Sequence, residues 1–446
     1  MQLRRILQWT GAGAALIIVI AWAFPLLNGS GPLASPLRNR GKVHIRHEGG
    51  KYTLYRNGQP FFIQGAAGRG SLSALREAGG NTARTYDTLQ LGAFLDEAHR
   101  NGIAVIVGLP LPSSAYEQFF YRNRAKTDTL FENLRSAVQR YKDHPALLMW
   151  CLGNEPVMTW RPGHSAFYST YNRLLAMLHT LDPDHPVTTT IPNYNIAQIW
   201  MIRQKVPGLD LIAFNSFGKL HELGNNLERF SRLWNGPFLI AEWGAYGPWE
   251  SGITTWQAPV ENTSSKKAEH LRNMYANDLP LKSPRCLGAL AFYWGSKQEA
   301  TGTWFSLFTE EGRPTEAVQA LHEVWGKPMP GTQWPKVKYM LLSGKGARDN
   351  ILLSPGSRHT ATLLLDSLNT AQITSLQWKV VREDWYHGPG RDKRPVSLLD
   401  TLVHAEDGLA LAFHAPRRGG PYRIFVEVTD REGRAATANT PFYVVE

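Results

Sequence analysis

Eight times between residues 61 and 294 a short apolar run recurs, each followed by a stretch of helical periodicity. Few folds accommodate that count. The strand candidates are 61–65, 81–86, 103–109, 147–153, 186–191, 209–215, 237–242 and 287–294. Helical patterns lie at 71–78, 90–101, 128–142, 165–181, 196–205, 223–234, 266–281 and 315–325. The run Leu147-Leu148-Met149-Trp150-Cys151-Leu152 has no polar alternation, as expected for a parallel strand covered on both faces. Leu91, Phe94, Leu95 and Ala98 give the second helix one apolar face, and Gly102 stops it. Eight such alternations over about 270 residues predict an α/β chain folded as a (β/α)8 barrel. A doubly wound sheet would usually bring a glycine-rich nucleotide loop. Gly65-Ala66-Ala67-Gly68-Arg69-Gly70 follows a strand, but its spacing fits neither the dinucleotide fingerprint nor a P-loop. It reads as a loop at the barrel mouth.

The flanks differ in character. Arg4 and Arg5 precede an apolar stretch from Trp9 to Leu27, long enough to span a bilayer. Residues 1–28 therefore read as an N-terminal transmembrane anchor, with a cleaved signal as the alternative, and 29–41 as a Gly/Pro/Ser-rich linker. This predicts a catalytic domain held outside the cytoplasm. A hairpin opens the barrel segment 42–330, where Asn57-Gly58 separates 52–55 from 60–63. Beyond Trp334 short alternating segments at 360–365, 377–381, 409–413, 422–429 and 442–445 replace the helical pattern. They predict a C-terminal immunoglobulin-like β-sandwich over 334–446, read as a packing and spacer domain, with a sugar-binding module as the alternative.

Composition narrows the partners. Net charge is +11, but Lys and Arg are spread along the chain with no basic block interleaved with aromatics, so a nucleic-acid partner is not expected. The two cysteines, Cys151 and Cys286, form no zinc spacing and would sit on opposite sides of a barrel as free, buried thiols. His164, His185 and His221 also lack metal spacing and read as surface or loop residues. No metal and no cofactor is expected. Fifteen tryptophans supply flat faces suited to stacking on sugar rings or to filling a core.

Chemistry gathers at strand ends. The fourth strand ends in Asn154-Glu155-Pro156, and the seventh in Glu242-Trp243-Gly244. In such a barrel the C-terminal strand ends form the active face. Two carboxylates from non-neighbouring strands would face each other across the mouth. Retaining glycoside hydrolysis needs such a pair roughly 5–5.5 Å apart, one attacking the anomeric carbon and one trading a proton. Taken singly, each residue also has a structural reading. Asn-Glu-Pro occurs as a helix cap or turn, Arg84 can be an ion-pair partner, and Trp294 can be barrel core.

Asn154-Glu155-Pro156 together with Glu242 resembles the clan A glycoside hydrolases. The likeness runs from about residue 50 to 326 and is nearest the catalytic barrel of family 2, with some likeness to families 5 and 72. Tyr55-Arg56-Asn57-Gly58-Gln59-Pro60-Phe61 is similar to the opening hairpin of these barrels, and Ala78-Gly79-Gly80-Asn81-Thr82-Ala83-Arg84-Thr85 to their second-strand motif. Glu311-Gly312-Arg313-Pro314 resembles their last strand-to-helix passage. The resemblance implies that Glu155 is the general acid/base and Glu242 the nucleophile. It implies that Asn154 bonds the sugar 2-hydroxyl, that Arg84 holds Glu242 ionised, and that Trp294 floors the cleavage subsite. The sixth strand ends Asn215-Ser216-Phe217, with Phe217 where the clan often has a tyrosine touching the nucleophile. Tyr86 or Tyr246 would then supply the hydroxyl, or the nucleophile is tuned differently. Asn215, Tyr86 and Tyr246 complete the candidate substrate-binding set. The jelly-roll domain that usually precedes the family 2 barrel has no counterpart before the hairpin. The expected activity is a retaining β-glycosidase on an envelope or extracellular β-glucan or related polysaccharide. A transglycosylase and a non-catalytic polysaccharide-binding protein are the alternatives. The loops at 113–127 and 247–265 are expected to set specificity.

Overall fold

The computed structural model describes residues 41–115, 117–329, 333–366, 372–383 and 403–446. The expected anchor, and the linker up to residue 40, lie outside the described residues. Among the described residues no helix is long and apolar enough to cross a membrane.

The described residues begin with three antiparallel strands, β1 (Val43–Glu48), β2 (Lys51–Arg56) and β3 (Gln59–Pro60). Asn57 and Gly58 both take positive φ, the conformation a two-residue hairpin turn requires. Eight parallel strands then close on themselves: β4 (Ile63–Ala67), β5 (Thr82–Arg84), β6 (Ala104–Leu109), β7 (Leu147–Leu152), β8 (Val187–Pro192), β9 (Leu211–Asn215), β10 (Phe238–Trp243) and β11 (Cys286–Phe292). The predicted barrel is therefore present. Helices at Leu72–Glu77, Leu91–Arg100, Arg124–Tyr141, Ser165–Leu181, Ile196–Lys205, Leu220–Arg229, Ser264–Asn273 and Glu316–Val324 surround it.

Two apolar layers result from the period-two alternation of buried strands. Ala104, Ile106, Leu148, Cys151, Leu239 and Ala241 fill the barrel interior. Val105, Val107, Leu147, Trp150, Phe238 and Ile240 face the helices. Val43, Ile45, Tyr52 and Leu54 of the opening hairpin join the interior cluster and plug the end of the barrel where strands begin. The opposite end is left for chemistry. Cys151 and Cys286 are both free and buried, as expected.

Beyond the barrel come β12 (Val337–Leu342), β13 (Leu352–Leu353), β14 (Arg358–Leu365), β15 (Ile373–Arg382), β16 (Val403–Asp407), β17 (Ala410–His414), β18 (Gly420–Asp430) and β19 (Ala435–Val444). They form two four-stranded sheets, β12-β14-β17-β16 and β13-β19-β18-β15, that share one apolar core. The strand at 337–342 was not expected from the sequence. β19 begins at Ala435 rather than near Phe442, because Ala435-Ala436-Thr437-Ala438-Asn439 lacks the bulky alternation that marks a strand.

Close strand approach in the barrel depends on missing side chains. A Cβ on Gly65 would lie 1.8 Å from the Thr82 carbonyl oxygen, a backbone atom of the adjacent strand that cannot step aside. Gly65→Ala is therefore expected to lower unfolding free energy by about 2 kcal/mol or more, read by urea denaturation followed by tryptophan fluorescence.

Candidate active site

The site begins on β5. Alternation turns Ala83 toward the helices and Arg84 into the barrel. Two residues on, Tyr86 lines the same mouth. Arg84 is 1% exposed. Its Nη1 donates to Glu242 Oε1 at 2.7 Å, and its Nη2 donates to Asn154 Oδ1 at 2.7 Å. The Tyr86 hydroxyl donates to the same Glu242 oxygen at 2.9 Å. Tyr86 is thus the aromatic hydroxyl that Phe217 lacks.

Glu242 owes its direction to a bulge. With Leu239 and Ala241 inside the barrel, strict alternation would turn Glu242 outward. Ile240 and Glu242, however, pair with the consecutive residues Phe214 and Asn215 of β9. A second irregularity lies between Ile240 and Trp243 against β11. The extra residue re-aims the strand end, as bulges do. Glu242 enters the mouth and Trp243 joins the outer layer.

Glu155 follows β7 on a strained turn. Its φ is +49°, in a region that non-glycine residues seldom adopt. Its N–H donates to Thr190 Oγ1 at 2.8 Å, which ties the turn to β8. The Thr190 hydroxyl in turn donates to Asn154 Oδ1 at 3.0 Å. Asn215 Nδ2 donates to Glu155 Oε1 at 2.8 Å and lies 3.3 Å from Asn154 Oδ1. One hydrogen-bonded chain therefore runs from Glu242 through Arg84, Asn154 and Asn215 to Glu155. Three donors on Asn154 Oδ1 fix its amide orientation and leave its NH2 group for the cleft.

The two carboxyls hold protons unequally. Burial, reinforced by the charge of Glu242, pushes Glu155 up to about 7. Burial raises Glu242 above the ordinary carboxylate range as well, and Arg84 and the Tyr86 hydrogen bond offset only part of that. Arg84 keeps its charge: burial opposes it, and the surrounding Tyr86, Cys151 and Glu242 more than offset that, so its pKa is raised. A fixed cation at 2.7 Å favours the ionised form of Glu242. Glu155 has only a neutral amide beside it. Arg84 thus biases Glu242 toward the carboxylate, while burial and the Glu242 charge bias Glu155 toward the acid.

A cleft of about 750 Å³ opens above this network. Its apolar wall is built from Phe217, Phe292, Phe305 and Trp249. Trp249 is 62% exposed, with its edge against Phe217. The 247–265 segment contributes Pro248 to Pro259 to the lining, while no described residue of 113–127 does.

Two expected contacts are not made. Trp294 is 1% exposed, donates from Nε1 to the Ser71 carbonyl at 2.8 Å and packs on Phe308 and Trp325. It belongs to the core outside the barrel, and Phe292 takes the lining position instead. Tyr246 packs at a tilt on His270 and makes no hydrogen bond to Glu242, whose hydroxyl partner is Tyr86. His164 and His185 are buried rather than on the surface, the latter paired with Asp182 at 2.9 Å. No group of metal-ligating side chains occurs among the described residues. Sequence reasoning missed Thr190, Trp249 and Phe292. The Thr188-Thr189-Thr190 run on β8 was a usable signal, since a third threonine at a strand end faces the mouth.

The chain matches the model of "Glycosyl hydrolases family 2, TIM barrel domain" over residues 72–325, more than half its length. It belongs to that family. The rat (Rattus norvegicus) β-glucuronidase is 29% identical over 221 residues, covering 42% of this chain and 32% of the relative. The human (Homo sapiens) β-glucuronidase is 26% identical over 314 residues, covering 63% and 46%. The chain thus spans less than half the length of these curated relatives. Among solved structures, Bacteroides uniformis β-glucuronidase 2 aligns with a TM-score of 0.51 at 13% identity, covering 90% of this chain and 48% of that one. At that identity the likeness concerns fold alone.

The asymmetry between carboxyls has a stability signature. Between the ordinary carboxylate value and about 7, the folded protein binds more protons at Glu155 than the unfolded chain. Stability from this group is full at low pH and is lost as pH rises through 7. Glu155→Gln should melt a few degrees above the native protein at pH 8 and close to it at pH 5, measured by scanning calorimetry. An equal difference at both pH values would contradict the assignment.

Proposed function

We propose that this family 2 chain is a retaining β-glycoside hydrolase working by double displacement on a neutral β-linked oligo- or polysaccharide. The observation that carries the reading is the hydrogen-bonded chain that joins Glu242, beside the Arg84 guanidinium, to Glu155, beside the Asn215 amide. Arg84 and Tyr86 both bind Glu242 Oε1, which leaves Oε2 to attack the anomeric carbon. Glu155 gives its proton to the leaving oxygen. Once ionised, it takes a proton from water, whose oxygen then displaces Glu242. The Asn154 NH2 group is placed to meet the sugar 2-hydroxyl, an interaction that strengthens in the transition state. Asn215 keeps Glu155 in register.

Charge in the cleft supports a neutral sugar. Glu155, Glu242, Glu250 and Glu299 line it, and the lining lysine, Lys297, forms an ion pair with Glu299. A uronate carboxylate would meet carboxylates and cations already engaged by them. The exposed Trp249 face suits an apolar sugar face. The relatives' name suggests β-glucuronides, so that class belongs in any substrate panel. The sequence of 9–27 supports an envelope or extracellular substrate, β-glucan in kind. The two four-stranded sheets support the immunoglobulin-like reading of 334–446.

Trapping with 2-deoxy-2-fluoro-β-glycosides followed by peptide mapping tests the reaction. Label is expected on Glu242, and label on Glu155 or on neither would contradict it. With 4-nitrophenyl β-glucoside, β-galactoside, β-mannoside and β-glucuronide, a neutral sugar should be turned over at least about tenfold faster than the glucuronide. Glu155→Gln should cut kcat about 10²–10⁴-fold where the leaving group needs protonation.

A further inference from the structure

Two loops at the mouth of the barrel carry cleft residues without belonging to any barrel strand. One, 248–259, supplies Trp249, Glu250, Gln257 and Pro259; the other, 297–305, supplies Lys297 and Glu299. The barrel holds them in part, through Trp304, which donates to the Tyr246 carbonyl, and Lys267, which donates to the Thr303 carbonyl. Both also meet at a buried carboxylate, Glu261, which follows the first loop and is bonded by the second. Its Oε1 accepts from Lys267 Nζ at 2.5 Å and from the Thr303 hydroxyl at 2.8 Å. Its Oε2 accepts from the Thr301 hydroxyl at 2.5 Å. Thr301 exchanges backbone hydrogen bonds with Glu299, so Glu261 fixes the very turn that presents Glu299 to the cleft.

The remaining partner of Glu261 comes from the other domain. Asn439, buried on β19, donates from Nδ2 to Glu261 Oε2 at 2.6 Å. Asn439 is oriented by Arg423 of β18, whose Nη1 donates to Asn439 Oδ1 at 2.6 Å. Arg423 Nη2 donates to the carbonyl of Pro259, itself a cleft residue, at 2.7 Å. Arg423 Nε closes the set on Glu383 at 2.5 Å. Every charge here is paired, and both Arg423 and Glu261 are shut away from water. A pure spacer would not need such a joint. Buried ionic groups are costly to assemble and hold one geometry once assembled. Asn350, between the β12 and β13 strands, adds a third tie by accepting from the Thr255 N–H at 2.8 Å.

We propose that the C-terminal sheets are a working wall of the active site: Asn439 and Arg423 are positioning residues that, through Glu261 and Pro259, hold the 253–261 and 297–303 loops where substrate binds. The barrel supplies the reacting carboxyls and the sandwich sets the shape of the cleft beside them. This deepens the glycosidase reading and rests on it only for its kinetic readout.

The test uses the full chain with Asn439→Ala and the isosteric Asn439→Asp, which keeps an acceptor for Arg423 and removes the donor to Glu261. Hydrogen exchange is followed by mass spectrometry without any sugar present. Exchange in both loops should rise at least about tenfold while the barrel strands keep their native protection. Kinetics on the best 4-nitrophenyl β-glycoside should show KM raised roughly tenfold with kcat within about twofold, the pattern of lost binding rather than lost chemistry. Asn439→Gln, which retains both donor and acceptor, should recover part of the loss. Unchanged exchange in the two loops, or a uniform rise across the whole protein, would overturn the proposal. So would native KM in both variants. Because exchange is read without turnover, failure of the glycosidase reading would leave that outcome intact.

Discussion

A guanidinium sealed inside the end of the barrel holds two side chains of the site at once. Arg84 cannot reach water, so its charge persists only because Glu242 and Asn154 receive its two terminal nitrogens and the Tyr86 ring lies 4.6 Å from its centre. Removing either acceptor would strand a buried cation, a change that typically costs several kcal/mol. The same contacts decide the chemistry. Arg84 biases Glu242 toward the carboxylate and turns the Asn154 oxygen inward, which leaves the Asn154 amide facing the cleft. The Glu242 charge then helps push Glu155 toward its protonated form. Two identical side chains are biased differently because one has a cation beside it and the other has an amide, which is the asymmetry the proposed acid and nucleophile require.

The fold exists to keep that cation dry and those carboxyls convergent. The opening hairpin closes the far end of the barrel, so its interior packs as core up to Cys151 and Ala241. The bulge in β10 then breaks the alternation where Glu242 must point inward. The left-handed turn at Glu155 does the same on β7, held by Thr190. At the rim the joint of Glu261, Asn439 and Arg423 takes over from the strands.

Much of this was legible in the sequence, for a physical reason. Parallel strands covered on both faces leave continuous apolar runs, so counting them recovered the barrel, and the carboxylates that end two of those runs pointed to Glu155 and Glu242; Asn154 and Asn215 came through the family resemblance. Arg84 was legible only through its motif. What could not be read depends on geometry that composition does not encode. The bulge leaves no trace in the residues around Ala241. Tyr86 and Tyr246 are equivalent on paper, and only the turn after β5 brings the first to Glu242. Trp294 is an aromatic at a strand end like any other until Ser71, Phe308 and Trp325 close around it. The first half of β19 escaped because its polar residues, Thr437 and Asn439, face the barrel rather than an apolar core.

The most direct measurement is of which carboxyl carries the proton. Carbon-13 NMR of glutamate-labelled protein, or infrared difference titration, follows Glu155 and Glu242 from pH 4 to 9 with Glu155→Gln, Glu242→Gln and Arg84→Met for assignment. The account predicts a carboxyl titrating near 7 that vanishes in Glu155→Gln. Glu242 should ionise at lower pH, and its titration should move upward in Arg84→Met. If the near-neutral titration survives in Glu155→Gln and disappears in Glu242→Gln, the roles given to the two glutamates are reversed and the central claim is wrong.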